Sequence, residues 1–100
     1  MRNLLENYTD EELFRRFKCG DMDAFEQIYS RYSLYLTREA AKRLKSYFQA
    51  SDVVQDIFIT LIRKSQHIEI NVSLKAYLFR MVHYKVINLK RDMPMHNRCH

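Results

Sequence analysis

Two groups of side chains in this sequence could do chemistry, and in both cases the chemistry is binding. The first is Asp52, Gln55 and Asp56, followed by Ile59. At helical spacing Gln55 and Asp56 form an acidic, hydrogen-bonding patch suited to basic residues of a partner, and Ile59 is placed beside them as an exposed apolar anchor. Asp52 and Gln55 also fit a capping box, in which case they do no more than start a helix. The second group is C-terminal. Residues 75–100 carry Lys75, Arg80, Lys85, Lys90, Arg91 and Arg98 against Asp92 alone, whereas residues 1–74 balance 11 Lys/Arg with 11 Asp/Glu. The whole net charge of +5 therefore sits at one end. Such asymmetry points to a polyanion, either nucleic acid or an anionic membrane surface, with a plain solvated helix face as the alternative. Tyr77, Phe79 and Tyr84 stand among these cations. Rings beside cations suit an unpaired nucleic-acid strand, because bases stack on the rings while phosphates pair with Lys and Arg.

Other chemistry is excluded. There is no Gly-rich phosphate loop, no HExxH and no nucleophile paired with a base, and the single glycine, Gly20, leaves no material for a strained nucleophile turn. A non-enzymatic protein without a cofactor is expected. His96, Cys99 and His100 follow Pro94 in a tail that offers a metal no rigid second shell, so no metal site is expected. Cys19 and Cys99 are far apart and lack a CxxC framework, which suits a reducing compartment. The N-terminus lacks the apolar run of a signal peptide. The richest apolar stretch, Val53 to Ile62, is interrupted by Gln55 and Asp56 and closed by Arg63, so no membrane insertion is expected and the chain is read as cytoplasmic.

These residues need elements to position them. A chain of 100 residues, 47% apolar, supports one domain with one core, and one Gly with one Pro leaves little for the turns of a sheet. The expected fold is all-α, a compact bundle of about four helices, with a helical body over 9–91 and a flexible tail over 92–100. Thr9 and Glu12 form a capping box for the first helix, which Gly20 ends. Asp23 and Glu26 repeat the pattern for a second, long helix reaching Lys45, whose terminal cations Arg38, Lys42, Arg43 and Lys45 complement the helix dipole. Ser51 or Asp52 caps a third helix that buries Val54, Ile57, Phe58, Leu61 and Ile62. Periodicity fails between Lys64 and Val72, an expected ordered loop with a short strand as the lesser alternative. Ser73 caps the fourth helix, from Leu74 to about Arg91, and Pro94 ends regular structure. On a helical wheel Leu74, Tyr77, Leu78, Met81 and Leu89 gather on one side. Arg80, His83, Lys90 and Arg91 gather on the other, with Phe79 at its border, while Lys85 falls near the apolar stripe and must snorkel. Tyr77, on that stripe, fits core packing better than base stacking, so Phe79 is the preferred ring.

The order of these features resembles region 2 of bacterial sigma factors, especially the extracytoplasmic-function (ECF) subgroup. The resemblance runs over about residues 9–91. It is carried by Gly20-Asp21, Ala24-Phe25-Glu26, Tyr29-Ser30-Arg31-Tyr32, the run Asp52-Val53-Val54-Gln55-Asp56-Ile57-Phe58, then Leu74-Lys75-Ala76-Tyr77-Leu78-Phe79-Arg80 and Asn88. Tyr84 departs from it, since that subgroup often has Asn there. The resemblance implies that the helix holding Asp52, Gln55, Asp56 and Ile59 docks on the clamp coiled coil of the largest subunit of core RNA polymerase. It also implies that the following loop and helix bind the melted minus-ten promoter element on the non-template strand. His67, Glu69 and Asn71 then lie where a flipped base is read, and Lys75, Phe79, Arg80, His83, Lys90 and Arg91 follow the strand. An anti-sigma factor is a further candidate partner. The sequence ends at His100 without the second helix-turn-helix domain of complete sigma factors, so an isolated domain or a truncated member is expected. The rival reading is a helical interaction module that binds polymerase or an anti-sigma factor without touching DNA.

Overall fold

The computed structural model describes residues 2–70 and 73–99, with side chains over 5–70 and 73–91. Four α-helices follow a short 3-10 turn at Arg2–Asn7: α1 (Asp10–Lys18), α2 (Met22–Leu44), α3 (Tyr47–Lys64) and α4 (Leu74–Cys99). The all-α bundle is as the sequence predicts.

Each helix starts and stops for a local reason. The Thr9 hydroxyl accepts the Glu12 amide at 3.1 Å and the Glu12 carboxylate accepts the Thr9 amide at 2.8 Å, the expected capping box. Gly20 follows α1 at φ 101°, a conformation open to glycine at no steric cost. The cap of α2 is Asp21, whose carboxylate accepts the amides of Asp23 and Ala24, rather than the expected Asp23. Asp21 serves because the turn at Gly20 leaves it in the extended conformation a cap needs, one residue outside the helix. Lys45 ends α2 in the left-handed region at φ 60°.

The third helix starts earlier than its sequence signals suggest. Ser46, not Ser51 or Asp52, is its cap, with the Ser46 hydroxyl accepting the Gln49 amide at 3.2 Å. Ala50 and Val53 are buried in its first turns, so the apolar stripe extends back beyond Val54. Ile62, expected inside, is 41% exposed, because Leu61 takes the inward position at that turn. After α3 the chain makes a 3-10 turn at Ser65–His67 and runs extended through Ile68, with no strand among the described residues.

The fourth helix is capped by the Ser73 hydroxyl, which accepts the Ala76 amide at 3.0 Å. It runs to Cys99, past both Arg91 and Pro94 where the sequence suggests an end. Proline removes one intrahelical hydrogen bond and crowds the carbonyl four residues earlier, which kinks or breaks a helix, and in α4 the helical backbone continues through it. Its buried line is Leu74, Leu78, Val82 and Val86, at four-residue steps. Tyr77, Met81 and Leu89 are only partly buried. The shift arises because α4 packs against both α2 and α3, which centres its inner face between them. The core these lines enclose also contains Leu13, Phe17, Ile28, Leu36, Ile57 and Leu61.

Candidate functional site

Alternation along α3 separates the core from an outer face. Val53, Val54, Ile57 and Phe58 are buried, while Asp52, Gln55 and Asp56 are exposed and Ile59 is 47% exposed. Because Ser46 caps the helix, Asp52 and Gln55 sit in its second turn and beyond, and the capping explanation of this pair no longer applies. The four residues share an open groove of about 690 Å³ between α3 and α4, floored by Val53 and Leu89 and bounded by Phe48 and Lys85. Two of the polar groups are tethered from neighbouring helices. Gln55 Nε2 donates to the Tyr29 hydroxyl at 2.8 Å, and Lys85 Nζ donates to Asp56 Oδ2 at 2.5 Å. Lys85 thus lies along the helix boundary, as its wheel position demands, with its head brought out to a carboxylate.

Phe48 is, with Gln49, a groove residue that the sequence reading omits. It is 79% exposed, the most open large apolar side chain of the described residues. An earlier start for α3 is the signal that would have found it, since that start puts Phe48 one turn before Asp52 on the same helix.

The cations of α4 do not share one surface. Helical geometry places Arg80, Tyr84, Ile87 and Arg91 on the side of α4 farthest from the core, and Tyr84 and Ile87 are 64% and 58% exposed there. Lys75, Phe79, His83 and Lys90 lie on the flank toward α2. On that flank Phe79 is partly buried, its ring meeting Tyr35 edge-on at 5.7 Å and 85°. Lys75 Nζ lies 5.5 Å from the centre of the Tyr35 ring. His83 Nε2 is 3.9 Å from the Glu39 carboxylate. Burial works to raise the Glu39 carboxyl, but Lys42 and Arg43 outweigh it and hold the group below its ordinary value.

The loop before α4 is held by α1. Lys18 Nζ donates to the Ile68 carbonyl at 2.9 Å, Gln66 Nε2 donates to the Lys18 carbonyl at 2.6 Å, and the Glu11 carboxylate accepts the Leu74 amide at 3.0 Å. His67 and Glu69 project from this braced segment and are exposed. Asn71 lies outside the described residues, as do the side chains of His96, Cys99 and His100.

Residues 28–93 match the family model for sigma-70 region 2. The chain belongs to the sigma-70 region 2 family. The match takes in most of α2, all of α3, the braced loop and α4 past Arg91, so both candidate faces lie inside it. Comparison with curated proteins and with solved structures gave no match. Region 2 is a sigma-factor domain of transcription initiation and not an enzyme class, which gives this chain a sigma-factor-like role involving RNA polymerase and promoter DNA. Among the described residues no helix is long and apolar enough to cross a membrane.

Proposed function

We propose that this region 2 domain is of the extracytoplasmic-function type, acts in the cytoplasm, and binds core RNA polymerase through α3 while opening the minus-ten element along α4. Asp52, Gln55, Asp56 and Ile59 dock on the clamp coiled coil of the largest subunit. The observation that carries this assignment is their common exposure along one groove that also offers an apolar floor, the combination of polar rim and buried anchor that protein interfaces use. Basic residues of the clamp meet Asp52 and Asp56, and Ile59 with Phe48 supplies the apolar contact.

The non-template strand runs along α4 and the loop before it. His67 and Glu69 flank the flipped base, and the strand's phosphates meet Arg80 and Arg91 on the outer side of α4 and Lys75, His83 and Lys90 where the strand crosses onto the flank toward α2. Phe79 offers one ring edge, and Tyr84, with more than half of its surface open, is the more accessible platform on the same helix. An anti-sigma factor covering the α3 groove would compete with polymerase for the same acidic residues.

A pull-down against core polymerase, with and without a fluorescent non-template minus-ten strand, tests both halves. Asp56→Lys should abolish co-purification with polymerase while circular dichroism and melting temperature stay near those of the unsubstituted chain. Arg80→Glu with Lys90→Glu should weaken strand binding and spare polymerase binding. Retained polymerase binding by Asp56→Lys rejects the α3 surface. Polymerase binding without any strand binding favours an interaction module.

A further inference from the structure

A hollow of about 520 Å³ opens where the C-terminal half of α2 meets the start of α3, lined by Tyr35, Arg38, Glu39, Ala41, Lys42 and Tyr47. Tyr35, Arg38 and Lys42 recur at three and four residues and so share one face of α2. Tyr35 and Tyr47 are 52% and 64% exposed, far more open than rings packed for stability. The helix dipole explains cations only within the last turn, which covers Lys42 and Arg43 but not Arg38, six residues before Leu44. Glu39 is the carboxylate of the hollow, and it is engaged by Lys42 at 3.4 Å and Arg43 at 3.3 Å, so positive charge prevails there. Tyr35 also joins the hollow to α4, through the Phe79 ring and Lys75.

We propose that this hollow is a second contact for single-stranded DNA, in which Tyr35 and Tyr47 stack unpaired bases and Arg38 and Lys42 hold the adjoining phosphates. Open rings interleaved with cations are what a strand of unpaired bases requires, and the excess positive charge complements its backbone. The inference rests on the reading that α4 takes the opened strand, and it extends that path across the Tyr35–Phe79 contact onto α2.

Anisotropy of a labelled oligothymidylate, titrated with the full chain alone and bound to core polymerase at several salt concentrations, tests it. Tyr35→Ala and Tyr47→Ala should each weaken binding about tenfold, within the range expected for loss of one stacked base. Tyr35→Phe should bind like the parent, which keeps the test valid if Tyr35→Ala disturbs Phe79. Arg38→Ala with Lys42→Ala should reduce the salt slope by about 1.4, at roughly 0.7 per phosphate. Parental affinity and slope in all the α2 variants, alongside lost binding in Arg80→Glu with Lys90→Glu, would overturn the hollow and leave the α4 reading intact. Failure of both sets to change binding, or no binding by the parent even with polymerase, would overturn both. Displacement of the oligonucleotide by poly-glutamate in the parent but not in Arg38→Ala with Lys42→Ala, with the tyrosine variants still parental, would assign the hollow to an acidic protein segment instead.

Discussion

Arg31 does more for this fold than a surface arginine usually does. Its guanidinium donates to Asp10 Oδ1 at 2.8 Å and to the carbonyls of Leu5, Glu6 and Tyr8, fastening the N-terminal turn and α1 to α2. The other Asp10 oxygen accepts the Tyr32 hydroxyl. Burial first, then that carboxylate, push the Tyr32 phenol well above its ordinary value, so it stays a neutral donor. Arg31 and Asp10 are about four-fifths buried, which limits screening. Arg31→Ala should therefore cost about 2 kcal/mol in a urea unfolding curve, the scale of hydrogen bonds to a charged group. A change below about 0.5 kcal/mol, the usual effect of surface substitutions, would show that the cluster is ornamental. Glu12 gives a pH-dependent counterpart. Its hydrogen bond from the Thr9 amide holds the carboxyl below its ordinary value, so its contribution is present above that value and is lost as pH falls through the lowered one. Glu12→Gln should accordingly lower the melting temperature at pH 7 and make little difference at pH 2. An equal deficit at both would assign the effect to something other than the carboxylate.

Among the elements, α3 most clearly separates the residue that caps it, Ser46, from Asp52, the exposed acid proposed for binding. With Ser46 as its cap, Ser46→Ala should cost about 1 kcal/mol, whereas Asp52→Asn should lie within about 0.5 kcal/mol of the parent. The reverse order in chemical denaturation would mean that α3 begins at Asp52 and that Asp52 serves the helix. The start of α4 has two caps of different origin, Ser73 from its own chain neighbourhood and Glu11 from α1. Thr9, Glu12 and Ser73 are legible in sequence because capping acts across three residues. Glu11 is not legible, because its partner at Leu74 is 63 residues away. The same holds for the brace of Lys18 and Gln66 on the loop, whose partners are again brought together by packing alone.

For the whole molecule, a single core shared by all four helices makes stability and both faces interdependent. Leu78 is fully buried on the α4 line that faces α2 and α3. Leu78→Ala should cost between about 2 and 5 kcal/mol, a large part of the roughly 5 to 15 kcal/mol by which such domains are stable. Polymerase binding and strand binding should then fail together on warming, monitored by pull-down beside circular dichroism. Loss of strand binding alone would show that α4 detaches independently of the rest. Electrostatics also belong to this scale. The excess cations of residues 75–100 are local in sequence, but folding sends Lys85 to Asp56, Lys75 and His83 toward α2, and Arg80 and Arg91 outward.

The sequence by itself determined the all-α class, two of the helix N-caps, the Thr9–Glu12 box and Ser73, and the inner and outer faces of α3 apart from Ile62. All of these depend on residue spacing within one helix, and spacing is visible in a string of letters. Only the tertiary structure decided that α4 turns Val82 and Val86 inward, and that Tyr29, Lys85 and Tyr35 stand beside residues tens of positions away. Those outcomes depend on which helices a given helix packs against, and packing of two neighbours on one face moves the buried arc away from where a lone wheel puts it.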